Sequence, residues 1–232
     1  MNKGSKFDLL YFPFPGRALT SRLLLSVAGA DWKNSVPEWP KDKESMPYGR
    51  LPVLIETEQD GSEFVLSESR AIEEYLAATF GLLPQGVKNL AVSSQYVNQI
   101  FDVIEAYANI AGFKIITSMA LGADIDGLTK TPEECNDRDQ FYIAQNIVNL
   151  KKALSDTIKY FLQKHEQILA KSKSGYYFGD SATYADLSLY SVYFSLKSEN
   201  LAAEFDTPNY PRVTKLIQLV AANPAVAAVI NN

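Results

Sequence analysis

The spacing of apolar residues changes once along the chain. Up to about residue 82, short strand-like runs are interleaved with helical ones. Residues 7–12, from Phe7 through Leu9 and Leu10 to Phe12, read as a strand that Pro13 and Pro15 terminate. Gly16 opens a helix in which Leu19, Leu23, Leu24 and Val27 recur at helical spacing, with Gly29 closing it. Residues 32–36 read as a second strand, and Pro37 to Pro47 as a loop with room for one helical turn. Residues 53–56 and 63–67 pair as a hairpin around Asp60-Gly61. Ser69 to Thr79 is a helix that turns Ile72, Tyr75 and Leu76 inward. The order βαβ(α)ββα describes a small α/β unit.

Beyond Leu82-Leu83-Pro84-Gln85-Gly86 the 3.6-residue period dominates, over roughly 90–118, 137–171, 183–198, 210–222 and 224–230. Gly86 and its neighbours therefore mark a linker into an all-helical unit, with domains at 1–82 and 90–232. Thr183 suits an N-cap, with Asp186 at the third helical position as its capping-box partner.

Composition narrows the setting. Hydrophobic residues make up 47% and charged ones 21%, ordinary for a globular protein, while a net charge of −5 argues against nucleic acid and anionic membrane surfaces. A single cysteine, Cys135, excludes an internal disulfide and favours a reducing, cytoplasmic location. No apolar run has the length of a bilayer span. No His, Cys and carboxylate cluster has metal spacing, and His165, the lone histidine, reads as a surface residue among Lys and Glu.

Two segments carry the candidate chemistry. Arg50-Leu51-Pro52-Val53-Leu54 places a proline at the mouth of a strand. A cis Leu51-Pro52 bond would turn the Leu51 backbone outward, ready to pair with an extended peptide. Glu68-Ser69 then runs into a helix whose first N–H groups suit a carboxylate. Together they read as a dock for a small acidic peptide. Tyr11 ends the first strand, where α/β folds present ligands, and reads either as a hydroxyl donor or as a buried aromatic.

In combination these residues resemble the cytosolic glutathione transferases of the tyrosine type, closest to pi- and sigma-like members. The resemblance rests on Tyr11-Phe12-Pro13-Phe14-Pro15-Gly16-Arg17, on Trp39, Lys43 and Tyr48 to Leu54, and on Gly179-Asp180 with Thr183 to Asp186. It implies a thioredoxin-like N-terminal α/β domain that binds glutathione, and an all-α C-terminal domain that forms most of the electrophile pocket. Glutathione is then the co-substrate and no metal is required. The implied activity is conjugation of glutathione to hydrophobic electrophiles; the alternatives are a prostaglandin-synthase-like isomerase and a non-catalytic carrier or structural protein.

By the same resemblance Tyr11 donates to the glutathione thiolate, since a hydrogen bond to charged sulfur favours its ionisation. Leu51, held by Pro52, pairs with the cysteinyl backbone, and Arg50 is its neighbour. Ser69 takes the γ-glutamyl carboxylate. Glu68 takes the γ-glutamyl ammonium, or is simply a charge favoured in the first helical turn. Trp39, Lys43 and Arg17 match the holders of the glycyl carboxylate, although Lys43 also fits a solvated charge run. Asp102 matches a residue that reaches across a homodimer, and Tyr48 an aromatic key between helices of the partner subunit, or a core aromatic of its own chain. Phe14 is the expected wall of the electrophile pocket. The chain departs from the pattern at Pro15, where an arginine is frequent, and over Ile115–Asp139, a long connection holding Gly122, Asp124, Gly127 and Cys135.

Overall fold

Four strands and two helices build the first unit. The computed structural model describes residues 4–121, 130–135, 138–205 and 208–231. Strand β1 is Lys6–Leu10, β2 Asp31–Ser35, β3 Val53–Thr57 and β4 Glu63–Ser67. They form one sheet in the order β2-β1-β3-β4. β1 runs parallel to β2 and antiparallel to β3, with Leu9 opposite Leu54. The parallel pair needs a crossover, which helix α1 (Leu19–Val27) supplies. The central strands bury Phe7, Leu9, Val53 and Leu54, whereas the edge strand β4 exposes Phe64 and Val65. Helix α2 (Ser69–Thr79) follows β4 directly and packs beside α1.

Among the described residues five further α-helices follow: α3 (Val87–Leu121), α4 (Arg138–Leu169), α5 (Tyr184–Ser198), α6 (Pro211–Ala221) and α7 (Pro224–Ile230). Helix α5 packs on α1, α3 and α6 and buries all of its first nine residues, the polar Asp186, Ser188 and Ser191 included. Its start is tied down. Asp186 is wholly buried and accepts from Thr183 N–H (2.8 Å), Thr183 Oγ1 (2.6 Å) and Tyr177 N–H (2.9 Å). Tyr184 pins the two units together: its N–H donates to the Leu82 carbonyl at 2.9 Å, and its hydroxyl donates to Glu73 Oε2 of α2 at 2.7 Å.

β4, α2 and α7 fall where the residue pattern places them, and the remaining elements differ at their ends. β1 stops at Leu10, although Tyr11 N–H still donates to the Ser35 carbonyl at 3.1 Å. The helix expected from Gly16 begins as a 3-10 turn, Gly16–Ala18, before α1 proper; Gly16, at φ 41°, lies outside the right-handed helical region. The loop after β2 contains a 3-10 turn at Lys41–Ser45, and both Trp39-Pro40 and Leu51-Pro52 are cis. The long connection is shorter than expected on its first side, because α3 continues to Leu121. Gly122, Asp124 and Gly127 lie outside the described residues.

His165 corrects a sequence expectation outright. It is 2% exposed, not a surface residue. Its ring stacks on Phe161 at 4.0 Å, its Nδ1 lies 2.6 Å from the Tyr177 hydroxyl, and burial lowers its pKa to about 4. It occupies the inward face of α4, which the polar neighbours Lys164 and Glu166 conceal in the linear sequence.

Candidate active site

The residues around Tyr11 set its hydroxyl by backbone geometry. Asn34 Nδ2 donates to the Tyr11 carbonyl at 3.0 Å, so the residue stays tied to β2 although its strand has ended. The chain then folds back through Pro13 to Gly16, and Arg17 N–H donates to the Tyr11 hydroxyl oxygen at 3.0 Å. With its oxygen accepting there, the O–H itself is left to donate elsewhere. A hydrogen bond received in this way also strengthens the one given, by about 10–30%. The ring is 6% exposed and meets Phe12 and Phe14 edge-on, each at 5.6 Å. Phe14, 52% exposed, stacks on Phe12, which in turn meets Trp39. An aromatic row therefore runs from Tyr11 to Trp39.

Beside this row opens a cleft of about 640 Å³. Arg17, Trp39, Lys43, Arg50, Leu51, Pro52, Glu68 and Ser69 line it, together with Tyr48, Gly49 and Ser67. Eight sequence-derived glutathione-site candidates, and Tyr48 besides, thus meet in one place. Among the described residues nothing hydrogen-bonds to the Leu51 backbone, which leaves it open to a peptide. Helix α2 begins at Ser69 without a side-chain cap, so its first-turn N–H groups face the cleft unpaired. Ser69 itself is buried, and an uncapped helix N-terminus has the chemistry to receive an anion. Glu68 precedes this helix instead of lying in its first turn, and its φ of 73° is unusual for a residue with a side chain. Glu68 thus stands at the N-cap, one residue before the first turn in which the sequence placed it, and lines the cleft.

Three candidates stand apart from that lining. Tyr11 and Phe14 lie next to the cleft along the aromatic row, whereas Asp102 is an exposed residue of α3 whose carboxylate accepts from Gln99 at 3.2 Å. Arg17 is in the cleft, but its guanidinium is 2.8 Å from Glu105 of α3. The sequence reading missed Arg22, which donates to the Phe12 carbonyl (2.7 Å), the Phe14 carbonyl (2.9 Å) and Asn34 Oδ1, and so braces the loop behind Tyr11. Its signal was available: a lone charge amid the buried run of Leu19 to Leu25 needs partners. Ser67, the last residue of β4, and Gly49 had no such signal. Cys135 is half-buried, with its Sγ 3.4 Å from the Thr131 carbonyl, remote in sequence and contact from this site. Among the described residues no group of three or more His, Cys, Asp or Glu is placed to hold a metal. No single described helix is long and apolar enough to cross a membrane.

Comparison with known proteins points the same way. Two family models match: the glutathione S-transferase N-terminal domain over residues 7–78 and the glutathione S-transferase C-terminal domain over residues 141–232. Glutathione S-transferase 4 of Caenorhabditis elegans is 32% identical over 184 residues, spanning 78% of this chain and 75% of the relative. The structure of a Nu-class GST from Haemonchus contortus is similar with a TM-score of 0.69 at 28% identity, covering 98% of this chain and 97% of that one. A sigma class GST from Fasciola hepatica superposes with a TM-score of 0.73, covering 98% of this chain and 96% of that one; at 20% identity it is a likeness of fold alone.

Proposed function

The chain belongs to the glutathione S-transferase family and is a glutathione transferase, and from that premise we propose that Tyr11 stabilises the thiolate it adds to small hydrophobic electrophiles. The observation that carries this reading is the single cleft lined by Leu51, Pro52, Glu68, Ser69, Trp39, Lys43, Arg50 and Arg17 beside the Tyr11 row. Glutathione lies with its γ-glutamyl carboxylate at the N-terminus of α2 and its ammonium at Glu68. Its cysteinyl backbone pairs with Leu51, and its glycyl carboxylate is shared by Trp39, Lys43 and Arg17. The uncapped helix, the open Leu51 backbone and the three donors at the other end support this placement.

The chemistry follows from the hydroxyl. A free thiol has a pKa of about 8.5, so at neutral pH it is mostly protonated and weakly nucleophilic. The Tyr11 O–H donates to the sulfur and favours its charged form, releasing the proton to water. The thiolate then attacks the electrophilic carbon, forming the sulfur–carbon bond as the leaving group departs with the bonding pair. Phe14 supplies an exposed apolar wall on the electrophile side. We assign residues 1–82 to the glutathione-binding domain and 90–232 to the helical domain, and place the enzyme in the cytoplasm.

The second copy belongs to the same proposal. Tyr48 is 70% exposed at the rim of the cleft, as an aromatic key requires. An opening of about 300 Å³ between α3 and α4, lined by Tyr96, Gln99, Tyr160 and His165 among others, is of a size to receive such a ring. Asp102 is then the residue that reaches the partner subunit's glutathione.

The test is conjugation of glutathione to a chloronitroarene by wild type and Y11F. Loss of one donor to a bound anion is expected to cost about 10²–10³ in kcat/KM, with little change in glutathione affinity. Wild-type turnover in Y11F would rule Tyr11 out as the thiolate donor.

A further inference from the structure

One ion pair spans the two units next to the reacting group. Glu105, on α3, places Oε1 at 2.8 Å from Arg17 Nη2, 88 residues away in sequence. The same Arg17 gives its backbone N–H to the Tyr11 hydroxyl at 3.0 Å. Three residues therefore connect the helical unit to the thiolate donor in two contacts. Arg17 sits in the 3-10 turn Gly16–Ala18, which has no side-chain cap, and the Glu105 contact ties that turn to α3.

We propose that Glu105 is a positioning residue for thiol ionisation. By holding the Arg17 side chain it holds the Arg17 N–H on the Tyr11 oxygen, and the bound thiol ionises more readily when α3 and this turn are in register. The inference rests on the reading of Tyr11 as thiolate donor. Other charged and titratable groups bear on the hydroxyl as well. From α1, Arg22 lies with its guanidinium carbon 5.7 Å from the Tyr11 ring centre. From α3, Tyr107 interacts electrostatically with Tyr11, and Glu199, following α5, acts on Tyr107. On the strand side the neutral Asn34 amide donates to the Tyr11 carbonyl. Of these charged groups, Glu105 and Arg17 form the pair that joins the two units through the residue that donates to Tyr11.

The pair is solvent-exposed, with side-chain exposures of 43% and 56%, so its effect is modest and open to screening by salt. The experiment measures the apparent pKa of the bound glutathione thiol, by ultraviolet thiolate absorbance and by the pH dependence of kcat/KM. It compares wild type, E105Q, E105D, R17Q and the double variant E105Q/R17Q, at low salt and at about 1 M salt. E105Q is expected to raise the thiol pKa by about half a unit, lowering kcat/KM about threefold below that pKa with KM for glutathione little changed. E105D falls between wild type and E105Q, and the double variant is no worse than R17Q. High salt moves wild type towards E105Q and leaves E105Q where it was.

An E105Q pKa equal to wild type overturns the proposal, as does an effect that adds fully to that of R17Q. A Y11F control separates the two levels. If Y11F lowers activity while E105Q leaves the pKa unmoved, only the positioning role fails. If Y11F behaves as wild type, the donor reading and this inference fail together.

Discussion

The Tyr11 hydroxyl keeps its surroundings because residue 16 has no side chain. Gly16 has φ 41°, and a Cβ built there would stand 2.5 Å from the Tyr11 oxygen and 3.0 Å from the Phe14 ring. Replacing it with alanine therefore displaces the hydroxyl, the adjoining wall residue or the turn, while adding backbone strain of about 1–3 kcal/mol. G16A is expected to lose at least tenfold in conjugation rate and to unfold at a lower temperature, read by turnover and by thermal denaturation. Wild-type kcat/KM in G16A would show that the close approach at Tyr11 is not needed. At this scale the sequence was most readable where a residue type has one strong physical habit. Pro52 marks a strand mouth, Ser69 a helix start, and both led to the cleft. The pairing of Arg17 with Glu105 had no local signature, since the two residues lie 88 positions apart and only the fold brings them together. The positive φ of Glu68 was equally silent, because a glutamate does not ordinarily adopt it.

Among whole elements, periodicity predicted the helices well, and it failed where a helix carries one inward polar residue. Helix α4 shows this. Its stretch around Lys164 and Glu166 looks solvated, yet His165 between them is buried against Phe161, Tyr96 and Tyr177. A polar residue type predicts an exposed position, and the aromatic cage that overrules the type comes from α3 and the loop before α5. The cage has a thermodynamic consequence. Burial lowers the pKa of His165 from 6.5 to about 4, so the folded state resists a proton that the unfolded chain accepts. Its contribution is intact above pH 6.5 and is lost as pH falls towards 4, by up to about 3 kcal/mol. H165Q retains polar groups for Tyr177 but does not titrate. Denaturant unfolding of the two proteins between about pH 7 and pH 4 should show the wild type losing more stability than H165Q. Parallel curves would mean that the imidazole is hydrated in the folded state.

Across the whole molecule, the seam between the units follows from residues that read as unremarkable helix positions. Glu73 of α2 is 3% exposed and accepts from the Tyr184 hydroxyl of α5, while Tyr184 N–H holds the Leu82 carbonyl of the connecting segment. The change of periodicity after Leu82 located the seam, but a carboxyl inside it could not be anticipated from a Glu73-Glu74 pair on an amphipathic helix. Desolvation raises the Glu73 pKa from 4.5 to about 8, against the smaller opposing effects of the Tyr184 hydrogen bond and Arg70. At neutral pH the folded protein therefore keeps a proton there that the unfolded chain has released. The sign is opposite to that of His165: stability from this group is full below pH 4.5 and falls as pH rises towards 8. The span corresponds to about 3–5 kcal/mol at most. E73Q keeps an acceptor for Tyr184 and cannot ionise, so it should be the more stable protein at about pH 9 and lose that advantage near pH 5. E73L tests the other half of the argument: it leaves the Tyr184 hydroxyl buried without its acceptor, at a cost relative to E73Q of about 1–3 kcal/mol at every pH. If wild type and E73Q instead keep a constant difference across this range, the seam admits water, and the carboxylate is charged within it.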